Sequence, residues 1–336
     1  MIGYYIHHQG YGHLARAKAI SAHINQPVTA LTSLELPTSP PFSRVATLPR
    51  DDQGTHPPDS TAYGAVHWAP HHDAGLRDRM TAIAEWVSTA RPDACVVDVS
   101  VEVATFLRLL GVPVIVVALP GERTDAPHAL VHQLADHIIA AWPEPLNTPA
   151  WLHPHRHKTS YVGGISRFDG RSLCASRTAQ SDHTGVVVLN GRGGRREHDA
   201  ATLPVMPGSN WQAIGGKTAS WEDDPWDQIC SADVVVSFAG QGSIADLAVA
   251  GRPAVVIPQP RAFDEQHATA AVLERHGLAI IEQQWPTDTA WPQILARARR
   301  LDTTAWTRWQ TRGAAARAAE AVERTAHRCG IRSGVR

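Results

Sequence analysis

The stretch DVVVSFAGQGSIADLAVAGRP, residues 233–253, decides the reading of the fold. Val234 to Phe238 form an apolar run of the kind that fills a strand covered on both faces of a parallel sheet. Gly240, Gln241, Gly242 and Ser243 then turn the chain, and a helical pattern follows with Ile244, Leu247 and Ala248 on its inner side. Strand, glycine turn and helix in that order predict a βα unit with its turn at the carboxyl end of the strand. The glycines let the backbone approach a ligand closely, and the first N–H groups of the helix have no partner inside it. Together with the helix dipole they make an anion site suited to a diphosphate. Asp246 has two readings here: the acidic member of a capping box begun by Ser243, or a carboxylate that holds ribose hydroxyls.

Outward from this unit the same alternation continues. PAVVIPQP (253–260) is the next strand, and RAFDEQHATAA (261–271) the next helix start. Glu265 and Gln266 stand side by side there. A carboxylate and an amide so placed can accept from and donate to adjacent sugar hydroxyls, or can simply open a polar helix. Upstream, Trp221 precedes a helix, where an indole stacks on a nucleobase or packs in the core. GVVVLNG (185–191), NWQAIGG (210–216) and LAIIEQ (278–283) read as further strands.

The first half repeats the architecture. IGYYIHH (2–8), PVTALTS (27–33), RVATLP (44–49), DACVVDV (93–99), VPVIVVALP (112–120) and HIIAAWP (137–143) read as strands, with helical patterns after most of them. Residues 51–73 form a long polar loop, 146–182 a connector without periodicity, and Trp306–Cys329 a long helix rich in Ala, Arg and Glu. The expected fold class is α/β, two Rossmann-like parallel-sheet domains facing each other across a cleft. The expected divisions are 1–148, a linker at 149–182, a second domain at 183–305, and a C-terminal helix at 306–336 packing back toward the first domain. Ligands of such sheets bind beyond the carboxyl ends of the strands.

Composition narrows the function. Lys plus Arg (31) nearly cancel Asp plus Glu (32), which argues against a nucleic-acid partner. Four cysteines, Cys95, Cys174, Cys230 and Cys329, form no CxxC pair and predict free thiols in a reducing cytosol rather than disulfides or a zinc site. No apolar stretch reaches the length of a membrane span, and Met1 leads straight into a strand without a signal peptide. The expected location is cytoplasmic, with membrane contact at most peripheral at the inner face. His67, His71 and His72 lack a zinc-like spacing.

Taken together, SFAGQGSIADLAVAGRPAVVIPQPRAFDEQ (237–266) and the turn HQGYGH (8–13) resemble the GT-B glycosyltransferases, and within them the MurG-like, family-28 branch. The resemblance is specific over about 220–275 and good over 5–25; elsewhere it is architectural. It implies an enzyme that moves a sugar from a nucleotide-sugar donor, UDP-sugar favoured, to a hydroxyl acceptor that is a small molecule or lipid-linked. It implies donor diphosphate on Gly240–Ser243, ribose on Asp246, donor sugar on Glu265 and Gln266, and the base covered by Trp221 and read at Glu222. Arg167 of YVGGISR matches an arginine that reaches the nucleotide. Gly191, Arg192 and Gly193 match a Gly-rich loop facing the diphosphate, although Arg192 stands where relatives often have a small hydroxyl residue. No metal or other cofactor is implied, because a helix terminus and basic side chains take the leaving group's charge.

In the first domain, Gly10 and Gly12 match the turn at the reaction centre and His13 its histidine. An inverting transfer needs a base to deprotonate the acceptor, and imidazole suits that task near neutral pH. Asp98, at the end of a strand, is the expected partner that orients His13. Arg123, Asp125 and His71 are acceptor-side candidates, with an ordinary ion pair or a solvated loop as the other reading. GYGHLAR also resembles the GxGHxxR of nucleotide-sugar hydrolases, in which the histidine activates water. An NAD-dependent enzyme, prompted by Gly240-x-Gly242-x-x-Ala245, and a non-catalytic sugar-binding protein are the remaining rivals.

Overall fold

The computed structural model describes residues 1–52, 59–174, 184–190, 203–204, 206–215 and 224–332. Gly191, Arg192, Gly193, Trp221 and Glu222 lie outside the described residues.

The apolar runs of the first half form a seven-stranded sheet: β1 (Ile2–Ile6), β2 (Val28–Thr32), β3 (Arg44–Thr47), β4 (Ala94–Asp98), β5 (Val114–Ala118), β6 (His137–Ala140) and β7 (Thr159–Tyr161). Their order is β3-β2-β1-β4-β5-β6-β7, every pair parallel. Strands β1, β2, β4 and β5 are buried along their whole length, as runs covered on both faces must be. Helices α1 (Tyr11–Ser21), α2 (Ala74–Ala90), α3 (Val101–Leu109) and α4 (Ala126–Leu134) make the crossovers. Asp73 caps α2 by accepting from Leu76 N, and Ser100 caps α3 by accepting from Val103 N.

The second sheet holds β8 (Thr184–Leu189), β9 (Ser209–Ile214), β10 (Val234–Ser237), β11 (Ala254–Val256) and β12 (Ile280–Ile281), in the order β12-β11-β10-β8-β9, again all parallel. Around it run α5 (Trp226–Ser231), α6 (Gln241–Ala250), α7 (Glu265–Arg275) and α8 (Trp291–Ala298). The chain is thus α/β with two Rossmann-like parallel-sheet domains.

Three features differ from the sequence reading. First, the segment read as a linker contributes a 3-10 turn at Ala150–Lys158 and the edge strand β7 to the first sheet. Three half-buried residues give no periodicity to read. Second, the tail does not begin its long helix at Trp306. Trp306 and Trp309 are buried in the second domain's core within a 3-10 turn (Thr303–Trp309), Gln310 and Gly313 take positive φ, and α9 (Ala314–Arg332) starts only then. Helix α9 packs its alanines on α1, β6 and β4 of the first domain. Gly164 passes so close beneath Trp309 that a Cβ there would lie 2.3 Å from the indole Cδ1. Third, Cys174 and Cys230 form a disulfide, their Cα atoms 5.2 Å apart, joining the segment after the first domain to α5. The free thiols expected at these positions are corrected on that point. Cys95 and Cys329 form no disulfide.

Candidate active site at the domain interface

Strand β1 ends at Ile6, and the chain turns through His7–Gly10 into α1. Gly10 is the N-cap with φ 102°, a conformation that L side chains resist. A Cβ on Gly10 would lie 3.5 Å from His13 Cδ2, so the glycine also leaves room for the ring. His13 is the third helical residue and points at the end of β4. Its Nδ1 lies 2.9 Å from Asp98 Oδ1, while the ring keeps 18% of its side-chain exposure.

Asp98 is fully buried. Burial opposes its ionisation, but the charges of Arg16 and His13 and their hydrogen bonds outweigh that and hold the carboxyl well below the usual carboxylate range. An ionised Asp98 only accepts, so the imidazole tautomer that pairs with it carries its hydrogen on Nδ1 and offers Nε2 as the acceptor, while Arg16 Nη2 also lies 3.1 Å from Nδ1. That is the state a general base requires. His7 stands edge-on to His13 with centroids 6.1 Å apart; burial, then the neighbouring imidazoles and Arg79, push it down to about 3, so it is neutral near pH 7.

Sequence reasoning left Arg16 without a role. It sits on the face of α1 that carries Leu14, Ala17 and Ile20 inward and is 7% exposed. Its Nε donates to Asp98 Oδ2 at 2.9 Å and its Nη2 to Oδ1 at 2.7 Å. Its Nη1 donates to Gln241 Oε1 in the other domain at 2.9 Å. A charge among apolar helix positions, three residues after His13, was the available signal.

Gln241 opens α6, whose N-cap is Gly240, and no side chain caps that helix start. The capping-box reading of Ser243 and Asp246 therefore does not hold. Gly242 is exposed, and a Cβ on Gly240 or Gly242 would meet nothing within 4 Å, so the amide row faces open space. Gln241 itself turns its side chain away from that row, toward Arg16. Asp246 is buried. It accepts from Ser166 Oγ at 2.6 Å and from Arg167 Nε at 3.0 Å, which ties α6 to the chain leaving the first domain. Burial raises its carboxyl pKa against the pull of Arg167 and Ser166.

Gln266 is also buried. Its Oε1 accepts from Ala239 N at 3.2 Å and Gln259 N at 2.9 Å, bracing the two loops that follow β10 and β11. Glu265, half-buried at the start of α7, accepts from Arg123 Nη2 at 3.4 Å. Arg123 is 4% exposed and lies 4.4 Å over the Phe263 ring, so it clamps the domains rather than facing an open acceptor site. Glu122 N reinforces the clamp, donating to Phe263 O at 2.8 Å.

Asp125 lies between two imidazoles, accepting from His67 Nε2 at 2.6 Å and from His128 Nδ1. His71 is exposed on the loop before α2 and is not part of this group, which takes His67 from the same loop. Among the described residues, His67, Asp125 and His128, and separately His8, Asp51 and Asp52, bring donor atoms within 4.8 Å of one another. Both groups could hold a divalent ion. Their carboxylates already have partners, Asp125 the two imidazoles, Asp52 Arg50 and His8, and Asp51 Arg79. Arg123 Nη1, 3.2 Å from His128 Nε2, adds a repelling charge to the first group.

Residues 207–303 match the Glycosyltransferase family 28 C-terminal domain. The chain is similar to the UDP-N-acetylglucosamine--N-acetylmuramyl-(pentapeptide) pyrophosphoryl-undecaprenol N-acetylglucosamine transferase of Cupriavidus metallidurans, 26% identical over 170 residues, 45% of this chain and 48% of that protein. It thus spans about half the length of that relative. Among solved structures, MurG of Acinetobacter baumannii superposes with TM-score 0.57 at 18% identity, covering 96% of this chain and 99% of that one. A glycotransferase of kitacinnamycin superposes with TM-score 0.63 at 14% identity, covering 96% and 98%. The fold is GT-B, and the C-terminal domain is MurG-like.

Proposed function

We propose that this chain, GT-B in fold and MurG-like in its second domain, is an inverting, metal-independent glycosyltransferase that moves a sugar from a nucleotide-sugar donor, UDP-sugar favoured, to a hydroxyl acceptor. One observation carries the reading: the His13–Asp98 pair and the uncapped start of α6 face each other across the domain interface, joined through Arg16. The donor's diphosphate would lie on the amides of Gln241, Gly242 and Ser243, with Arg167 near the nucleotide and Glu265 and Gln266 beside the sugar. His13 Nε2 takes the acceptor's proton as the acceptor oxygen bonds to C1. The C1–O bond to the diphosphate breaks, and the helix start receives the new negative charge. Asp98 stabilises the imidazolium that forms.

The relative's name supports a UDP-linked donor and a lipid-linked acceptor for this chain too, which would place it at the inner face of a membrane as a peripheral protein. Among the described residues no helix is long and apolar enough to cross a membrane. The same dyad would serve a nucleotide-sugar hydrolase, and the meeting of the histidine and arginine of GHLAR at Asp98 favours keeping that reading second.

The test is His13→Ala. Turnover should fall on the order of 10²–10⁴-fold, with UDP affinity by calorimetry changed less than about threefold. An alanine variant with full turnover refutes the assignment. Free sugar released without acceptor, as fast as transfer with it, would favour the hydrolase.

A further inference from the structure

The Arg16 guanidinium is shared between domains. Two of its nitrogens hold the Asp98 carboxylate, and the third holds Gln241 Oε1 at the first residue of α6. Helices α1 and α6 pack against each other around this bond. Gln241 Nε2 is buried without a partner, so Arg16 is the one polar contact that side chain has among the described residues. The amide therefore reports to Arg16 alone. Among the described residues, Arg16 is the side chain that hydrogen-bonds both the His13–Asp98 pair and the helix that would receive the leaving group.

We propose that Arg16 is a positioning residue that sets the register of the two domains, fixing the His13 imidazole at a working distance from the start of α6. It acts through Asp98 and the Nδ1 edge of His13 on one side and through Gln241 on the other, and it does not contact Nε2, the nitrogen that would take the proton. A planar fork is needed for this. An ammonium group keeps the charge but cannot pair with both carboxylate oxygens and also reach the amide. Misplacing a base by about 1 Å is enough to cost on the order of 10²-fold in rate.

The kinetic arm rests on the transferase reading. Arg16→Lys should lower kcat on the order of 10²-fold, and Gln241→Met, which keeps the volume but removes the acceptor, on the order of 10-fold. UDP affinity should change less than about threefold in both, because the backbone amides remain. The double variant should match Arg16→Lys within about twofold, since both changes cut one connection. A Gln241→Met protein with unchanged kcat, or losses that multiply in the double variant, overturns the proposal. If Arg16→Lys does not fold, the half-buried Gln241→Met carries the test alone.

A second arm needs no turnover. In ligand-free protein, the imidazole ¹⁵N signals of His13, assigned by their loss in His13→Ala, should shift in Gln241→Met. Unmoved signals overturn the tie even if transfer is observed. Shifted signals in a protein that turns over no nucleotide-sugar sustain the tie and sink only the transferase reading.

Discussion

The turns before α1 and α6 are built alike and suited to different chemistry. Each leaves a strand inside its sheet through two glycines, Gly10 and Gly12 in one, Gly240 and Gly242 in the other. Each helix has a glycine N-cap with no side-chain cap bond. Each carries a buried charge at the same offset from that N-cap, Arg16 after Gly10 and Asp246 after Gly240. The third helical residue differs: His13 in the first, Ser243 in the second. A small residue leaves the amide row open for an anion, whereas an imidazole fills the same place with a base. The buried charges differ as well. The Arg16 and Asp98 side chains are 8% and 0% exposed, while Arg167, opposite Asp246, is 33% exposed. One pair is sealed in the core; the other has an arginine that water can reach.

The widest gap between the two regions should appear in acid. Burial, ahead of nearby cationic groups, pushes His7 and His132 down to about 3 and His137 to about 4. His128 falls to about 4 by burial, opposed by its bond to Asp125. All four lie in the first domain. Above their ordinary value, about 6.5, they are neutral folded and unfolded alike. As pH falls below that, the unfolded chain binds protons the folded one refuses, so stability is lost progressively down to about pH 4 and below. Asp98 adds its own loss only as pH nears the ordinary carboxylate value and falls below it, where the unfolded chain takes up a proton that the folded carboxyl refuses. Hydrogen exchange between pH 6.5 and 4 should show first-domain amides losing protection before those of the second domain. Simultaneous loss would break the distinction.

The sealed and open ion pairs give the next test. Asp98→Ala leaves a guanidinium buried without its counter-ion and should cost about 3–5 kcal/mol by urea denaturation. Asp246→Ala leaves Arg167 a third exposed, where water can solvate its charge, and should cost only about 1–2 kcal/mol. Equal costs would mean that the exposure of Arg167 gives it no relief.

The N-cap glycines should separate by less. Gly10→Ala forces a side chain into φ 102° beside the His13 ring and should destabilise by about 1–2 kcal/mol. Gly240 has φ −67° and open space around it, so Gly240→Ala should be neutral or stabilise by about 0.4–1 kcal/mol. Its effect should appear instead as weaker UDP binding by calorimetry, since the methyl group enters the space an anion would use.

Much of this was legible in the sequence because it is local. Buried parallel strands announce themselves as apolar runs, and glycines mark where a strand hands over to a helix. What was not legible depends on distance. Arg16 meets Asp98 and Gln241, 82 and 225 positions away, and an arginine on an apolar helix face carries no mark of its partners. The pairing of Cys174 with Cys230, 56 positions apart, has no spacing signature. Arg123 read as an acceptor-side cation, yet the packing of Phe263 and Glu265 beneath it turns it into a clamp.

The sequence by itself determined two parallel-sheet domains, one turn that delivers a histidine and one that leaves amides bare, because strand periodicity, glycine freedom and helix-end chemistry act within a few residues. Only the tertiary structure decided which arginine joins the His13–Asp98 pair to the second domain and which side chain receives it there. Those contacts come from how two separately formed sheets pack together, and no short stretch of chain encodes that packing.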